Sequence, residues 1–367
     1  MCRTGRSGWI LAGALCLAAC GGGSGRDAGP GAEVFPPATP LSDVQATEAA
    51  SGAAVSLVAA LSALVLDVPG LPAASTIADR HHGRSALSVR RWASLAGQGG
   101  RSSRCAGGGT IQATCGEDGS GSTLLTRADE CGTFDDAHGL YVITNGELRI
   151  RIQARGICRT GQVPADAPRT LRYRHFRATI RDGPSVLETF AAPVLTQRIE
   201  PSGTGCADVG RMVLDGRAVV TRADGVDVTL DTDGLILQLS ANATPCVQQV
   251  EATGRLDVFD HTSGRQLDAA LHGLRMTFEV ESNPVAASID GAATLDCVGE
   301  VAYASDAPLT GSGPCASSGA LRLTLPSGAT ARSRAQAGGV VEFDYDGDGH
   351  VDRTVASCLD PSVAACR

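Results

Sequence analysis

The sequence contains no lysine, and all 31 basic residues in this chain of 367 are arginine. A lysine ammonium group is required for a Schiff base, for a Walker-type phosphate loop and for a Ser-x-x-Lys acylation site. The sequence therefore excludes these kinds of chemistry. Asparagine occurs only three times, and both deficits are typical of codon bias in a GC-rich genome.

Aromatic residues make up only 4% of the chain, which argues against a sugar-binding platform of stacked rings. A formal net charge of −8 argues against a general nucleic-acid binder. The chain also lacks a Gly-x-Ser-x-Gly elbow and a His-Glu-x-x-His zinc helix, and its seven histidines show no metal-ligand spacing. Carboxylates are abundant, but no two of them stand out as a pair for glycoside hydrolysis. We therefore predict no catalytic residue.

The first 19 residues have the composition of a secretory signal peptide. Arg3 and Arg6 form a positively charged start, residues 9–17 form an apolar run, and Ala18-Ala19 are the small residues that precede a cleavage site. The apolar run is far shorter than the ~20 residues that cross a bilayer. We therefore expect cleavage and not a permanent membrane helix.

Leu17-Ala18-Ala19-Cys20 resembles the bacterial lipobox, in which the cysteine is lipidated with palmitate-type chains and becomes the new N-terminus. In that family an Asp directly after the cysteine retains the protein in the inner membrane. Gly21 therefore implies the outer membrane, with the folded part facing the periplasm or the cell surface. Residues 20–40 are rich in Gly, Pro, Ala and Ser and predict a flexible tether with a reach of about 25 Å. The alternative is an ordinary cleaved signal peptide that leaves Cys20 as a free thiol.

Of the 13 cysteines, Cys2 and Cys16 leave with the signal peptide and Cys20 is assigned to the lipid. An even set of ten remains: Cys105, Cys115, Cys131, Cys158, Cys206, Cys246, Cys297, Cys315, Cys358 and Cys366. In an exported protein an even set predicts disulfide bonds, and the lack of Cys-x-x-Cys spacing argues against zinc. The connectivity is not fixed by the sequence. Short loops favour Cys297 with Cys315 and Cys358 with Cys366.

Residues 41–100 read as a helical segment. Ser42-Asp43-Val44-Gln45 has the form of a capping box, and it predicts a helix over residues 44–66. Residues 55–66 are apolar almost all round, which favours a buried helix packed on a sheet face, with a role as a plug as the alternative. A weaker helix is predicted over residues 77–95, where the adjacent pair His81-His82 is expected to be solvated.

From about residue 101 onward, short alternating runs between Gly, Asp, Ser and Pro predict an antiparallel β domain over 101–367. Asn145-Gly146, Asp224-Gly225 and Asp233-Gly234 predict hairpin turns between strands. The expected architecture is a large meander forming a sandwich, a barrel or a curved open sheet. It is built as one unit or as two, over about 101–200 and 201–367.

Two segments look like distant versions of one unit. Cys105-Ala-Gly-Gly-Gly leads to Asp129-Glu-Cys131, and Cys315-Ala-Ser-Ser-Gly leads to Asp344-Tyr-Asp-Gly-Asp-Gly349. Both resemble a loosely defined group of β-rich proteobacterial lipoproteins of unknown function. That resemblance implies the β fold and the envelope compartment, and it implies no activity.

Near the C-terminus four aspartates and a glycine match the spacing D-x-D-x-D-G-x-x-D: Asp344, Asp346, Asp348, Gly349 and Asp352. In calcium loops the carboxylates at positions 1, 3 and 5 converge on the cation, position 7 offers a carbonyl and position 9 acts through water. His350 would supply that carbonyl, while the twelfth position is Val355 and not the glutamate of an EF-hand. The loop predicts a structural calcium site. A plain hairpin turn between two strands is the alternative.

The leading functional prediction is a non-catalytic envelope lipoprotein, held at the membrane by the lipid on Cys20, with a structural or partner-binding β domain. The first alternative is a carrier of an apolar ligand or acyl chain, and the second is an envelope hydrolase. A small-residue-lined apolar concavity beside the helix would favour the carrier, and a filled core the structural role. A cleft with a buried carboxylate pair or a Ser–His contact would favour the enzyme.

Overall fold

The computed structural model describes residues 41–66, 102–135, 140–160, 164, 166–201, 210–223, 225–243, 246–279, 286–311, 315–360, 362–363 and 366. Cys20, the predicted signal peptide and the whole of the predicted tether lie outside these residues. The predicted second helix, with His81-His82, lies outside them as well.

The fold is one antiparallel sheet of 16 strands, and the spatial order of the strands follows the sequence. The predicted meander is confirmed as an open sheet in which β1 and β16 are the edge strands. The strands are β1 (Ser102–Arg104), β2 (Thr110–Asp118), β3 (Gly121–Asp135), β4 (Leu140–Ile152), β5 (Arg169–Asp182), β6 (Ser185–Glu200), β7 (Arg211–Arg222), β8 (Asp227–Ala243), β9 (Cys246–Asp260), β10 (Arg265–Glu279), β11 (Ala286–Leu295), β12 (Gly299–Thr310), β13 (Ser318–Thr324), β14 (Thr330–Ala335), β15 (Val341–Asp344) and β16 (Arg353–Val355). The sheet continues through the predicted boundary near residue 200.

The N-terminal helix α1 (Asp43–Leu66) begins at the predicted capping box. The Ser42 hydroxyl accepts a hydrogen bond from the N–H of Gln45 at 3.4 Å, and the Ser42 N–H donates to Gln45 Oε1 at 3.2 Å. The helix packs on one face of the sheet against β9, β10, β11, β13 and β14. We call this the inner face. A single-turn helix, α2 (Ile157–Thr160), follows β4, and a 3₁₀ turn (Ala337–Gly339) follows β14.

Among the described residues, α1 is the one helix that is long and apolar enough to cross a bilayer. In this fold 67% of its apolar stretch is buried, so its composition is accounted for by packing on the sheet, as the sequence predicted.

Helix and inner face share one continuous hydrophobic core. On the helix this core is rich in alanine, and the strands that α1 contacts contribute small residues such as Ala252, Ala269 and Ala293. On β5 and β6 the core instead contains large rings, with Tyr173 and Phe176 centroids 5.2 Å apart. Small residues where the helix approaches and large ones elsewhere allow close packing throughout the interior.

The predicted turns at Asn145-Gly146 and Asp233-Gly234 are wrong, because both dipeptides lie within long strands, β4 and β8. Each marks a β-bulge, where the register shifts by the insertion of extra residues. At Gly146 φ is +94°, and a Cβ there would lie 2.2 Å from the backbone oxygen of His175 on the next strand. Positive φ at glycine is shared by turns and bulges, so the dipeptide alone did not distinguish them. At the third predicted turn, β7 ends at Arg222 and β8 begins at Asp227, so Gly225 lies in the connection between them, while Asp224 lies outside the described residues.

Register shifts occur in every neighbouring strand pair from β3–β4 through β12–β13. Bulges bend a strand and increase its local twist. A row of them across the sheet therefore provides the curvature with which the inner face packs around the helix.

In the described part of the chain, four disulfide bonds join Cys105 to Cys131, Cys115 to Cys158, Cys297 to Cys366 and Cys315 to Cys358. The short-loop pairs are therefore wrong. Cys297 and Cys315 lie at opposite ends of β12, which has 12 residues and is about 40 Å long at the usual strand rise. The fifth predicted bond, which would use Cys206 and Cys246, remains a prediction because Cys206 lies outside the described residues.

Candidate functional site

The predicted calcium loop is the tight connection between β15 and β16. The carboxylate oxygens of Asp344, Asp346 and Asp348 lie within 4.8 Å of one another. Asp344 is buried, whereas Asp346 and Asp348 are exposed. The structure therefore brings together the residues at the predicted positions 1, 3 and 5.

Backbone N–H groups of the same loop hold the Asp344 carboxylate. Gly347 and Gly349 donate to its two oxygens at 2.7 and 2.9 Å. The N–H of Asp348 donates to Asp346 Oδ1 at 3.2 Å, and that of His350 donates to Asp348 Oδ1 at 2.7 Å. Hydrogen bonds from backbone N–H groups disperse the negative charge, so the three carboxylates tolerate their mutual proximity.

The remaining predicted ligand, Asp352, is outside this group of three. Its Oδ2 accepts a hydrogen bond from the N–H of Tyr345 at 2.7 Å, and its own N–H donates to the carbonyl of Phe343 at 2.9 Å. Asp352 thus closes the base of the hairpin. Its predicted contact through a water, and the predicted carbonyl ligand from His350, remain predictions.

The three-aspartate group fits a hard divalent cation by the chemistry of its donors, because calcium prefers carboxylate and carbonyl oxygens. A depression of about 120 Å³ lies beside it, with Arg332, Glu342 and Asp344 among its lining residues. That volume is well below the roughly 300 Å³ typical of small-molecule pockets. The depression is therefore too small for a typical organic ligand.

A buried polar contact joins α1 to the last strands of the sheet. The sequence did not predict this contact. Glu48 on α1 is buried, with a side chain 3% exposed, and it forms an ion pair with Arg353 on β16. The hydroxyl of Tyr345 donates to Glu48 Oε1 at 2.7 Å. Burial, then the hydrogen bond to Glu48, raises the pKa of Tyr345 to about 12. The cluster fixes the helix against the C-terminal strands.

The outward-facing side of the sheet, which we call the outer face, carries a second unpredicted feature. Three aspartates on neighbouring strands, Asp231, Asp257 and Asp268, stand directly opposite one another across β8, β9 and β10. We call these three residues the acidic row. Arg217 pairs with Asp231 at 2.7 Å, and Arg255 pairs with Asp268. Burial, then the hydrogen bond and charge of Asp268, raises the pKa of Asp257 to about 6.

Within the acidic row, Asp257 and Asp268 are adjacent carboxyl groups, and one of them has a raised pKa, as groups used in general acid catalysis often have. However, the side chains of Asp257 and Asp268 are 39% and 29% exposed and lie on an open strand surface. They are not gathered in a cleft with a candidate nucleophile. The arrangement therefore explains a shifted pKa without defining an active site.

The sequence predicted neither the contact of Glu48 with Arg353 nor the acidic row, and the reason is the same for both. Each depends on which residues stand opposite one another in space, and the register of a bulged sheet is not readable from a single sequence. The acidic row does leave a weak signal in the regular alternation of charged and apolar residues along β8 and β9.

Comparison of the chain with known protein families, with curated proteins and with solved structures finds no match.

Proposed function

We propose that the protein is a non-catalytic lipoprotein of the bacterial outer membrane, anchored by lipid on Cys20 and carrying a β domain that serves structurally or binds a partner. The observation that carries the proposal is Leu17-Ala18-Ala19-Cys20 with its charged start, apolar run and Gly-rich continuation. Disulfide bonds in the folded part support an oxidising compartment, because they rarely persist in the cytosol.

The packing of the interior supports a structural or partner-binding role over a carrier role. Core residues of α1 such as Leu57, Leu61 and Leu64 are fully buried. They occupy the inner face, where an acyl chain would otherwise have to lie. A carrier would need the helix to leave or shift before a ligand could enter.

We further propose that the loop of Asp344, Asp346 and Asp348 holds a structural calcium ion. Its oxygen donors fit the ion, and a cation would offset the charge that three carboxylates concentrate in one turn. An ion there would stiffen the β15–β16 hairpin, on which the ion pair with Glu48 depends.

The anchor is tested by expressing the full chain and its Cys20→Ser variant in a bacterium that processes lipoproteins. The wild-type chain is expected to gain acyl mass at Cys20 and to sediment with outer membranes, and the variant to be released as a soluble exported protein. An unmodified Cys20 in the wild-type chain would overturn the lipoprotein assignment and leave an ordinary cleaved signal peptide.

The calcium site is tested by thermal melts of the exported chain in EDTA and in 5 mM calcium chloride. A ligand that binds only the folded state raises the midpoint by mass action. For submillimolar affinity we expect a rise of about 2–4 °C. The rise should vanish in Asp346→Asn and persist in the matched control Asp182→Asn, which alters an exposed aspartate in another hairpin. An equal midpoint in both buffers would show that the loop is a hairpin turn without a calcium site.

A further inference from the structure

The outer face of β4, β5 and β6 carries a strip of exposed arginines. We call these residues the arginine strip: Arg149, Arg172, Arg174, Arg177 and Arg198. Arg172 and Arg177 are five residues apart on β5, which corresponds to about 17 Å along the strand. The strip is therefore wide enough to meet several anionic groups at once.

None of these five arginines forms an ion pair within the described part of the chain. Two carboxylates beside the strip are already engaged: Glu147, opposite Arg174, pairs with Arg127 at 3.0 Å. Glu200 pairs with Arg211 at 3.2 Å on the neighbouring strand. The strip therefore presents positive charge that the fold itself does not neutralise.

Two of the arginines repel one another. Arg149 and Arg172 stand directly opposite across β4 and β5, and Arg198 is diagonal to Arg172 because it pairs with Thr170. Like charges in a direct cross-strand pair destabilise a sheet. Three neighbouring arginines with no ion-pair partner in the described chain suit a phosphate, which accepts the paired hydrogen bonds of guanidinium.

We propose that the arginine strip docks on the phosphate headgroups of an anionic lipid surface. Charge complementarity supports this occupant, since the chain as a whole carries −8 and only a local patch can be attracted to an anionic surface. The strip lies on an open strand face and not in a groove. Val194, opposite Arg174 and 60% exposed, adds an apolar side chain that can enter the interface.

This inference rests on the proposed membrane location, and it adds a preferred orientation of the β domain relative to the bilayer. A tether alone leaves the domain free to rotate, whereas a basic strip on one face of the sheet would turn β4–β6 toward the bilayer. The acidic row stands on the same outer face, beginning two strands beyond β6, and would lie at the margin of this contact.

The experiment uses the full chain with Cys20→Ser, so that any vesicle binding is independent of the lipid anchor. Co-sedimentation is measured with vesicles of phosphatidylcholine alone and with vesicles containing 30% phosphatidylglycerol. Binding is expected only to the anionic vesicles and to weaken as salt rises from 50 to 300 mM. Each arginine near the surface contributes about fivefold to partition, so Arg149→Gln/Arg172→Gln/Arg198→Gln should lose about a hundredfold.

The matched control is Arg275→Gln/Arg322→Gln/Arg334→Gln, which removes the same charge from outer-face arginines that have carboxylate partners. The control should bind nearly as well as the parent chain. Equal loss in both triple variants would overturn the proposal, as would equal binding to neutral and anionic vesicles. Binding of a soluble polyanion such as heparin, with no binding to anionic vesicles, would also overturn it in favour of a polysaccharide partner. These results leave the assignment of Cys20 unaffected, because that assignment is tested by acylation in cells.

Discussion

The two faces of the sheet differ in packing and in charge. The inner face is mostly apolar and close-packed against α1, and in its described ion pair Glu48 is buried while Arg353 is partly exposed. The outer face carries alternating charged side chains, segregated into the arginine strip on β4–β6 and the acidic row on β8–β10. The difference indicates that stability lies on the inner face and that recognition, if the protein has a partner or surface, lies on the outer face.

The largest difference in stability between substitutions on the two faces is expected in the core. Leu61→Ala removes a fully buried side chain of α1 and should lower the free energy of unfolding by about 2–5 kcal/mol. Val194→Ala on the outer face should change it by less than about 0.5 kcal/mol. Urea titrations of the Cys20→Ser chain measure both. Similar losses in the two variants would contradict the division between the faces.

The buried ion pair should contribute nearly as much as the core. Glu48→Ala leaves Arg353 and the Tyr345 hydroxyl without this partner, and it should cost about 2–3 kcal/mol because Arg353 remains partly exposed. A double-mutant cycle with Arg353→Ala should give a coupling of at least about 1 kcal/mol. A coupling near zero would show that Glu48 acts by packing alone.

The acidic row should destabilise the protein at neutral pH. The pKa of Asp257 is raised to about 6 in the folded chain, so its contribution is favourable at low pH and is lost as pH rises through 6. Asp257→Asn should therefore stabilise the protein at pH 7.5 by about 1 kcal/mol, a value reduced for the exposure of the side chain. It should have little effect at pH 4.

Thermal melts from pH 4 to pH 8 measure this dependence, with Glu300→Gln as the control carboxylate on the outer face. If Asp257→Asn gave the same shift in midpoint at every pH, titration of Asp257 would not be the cause.

The smallest effect is expected for an outer-face ion pair. Arg275 and Glu251 lie 3.2 Å apart, with side chains 73% and 45% exposed. Water and salt screen such a pair, so a double-mutant cycle should give less than about 0.5 kcal/mol. A coupling comparable with that of Glu48 and Arg353 would remove the energetic contrast between the faces.

Local chemistry made part of the fold predictable. Ser42 and Gln45 identified the start of α1, and the apolar composition of residues 55–66 identified a buried helix. The alternation of apolar and polar residues identified antiparallel strands. The same local signals failed at Gly146 and Gly234, because a glycine with positive φ serves a bulge as well as a turn.

Cysteine pairing shows the limit of sequence most clearly. Short loops favoured Cys297 with Cys315, yet successive turns of a meander lie at opposite ends of its strands. Only the strand order brings Cys297 to Cys366 and Cys315 to Cys358. Knowledge of an unbroken meander would have excluded the pair of Cys297 with Cys315 before any side chain was placed, because β12 separates them.

The sequence by itself determined the mainly β class, the helix and its cap, the even set of cysteines and the close spacing of Asp344, Asp346 and Asp348, because each follows from residues near one another along the chain. Tertiary structure alone decided the open 16-stranded meander, the disulfide partners, the contact of Glu48 with Arg353 and the two charged regions of the outer face. Those features depend on strand register and on contacts between chain segments that are distant in sequence, up to 305 residues for Glu48 and Arg353. A pairing across such distances leaves no local pattern in one sequence.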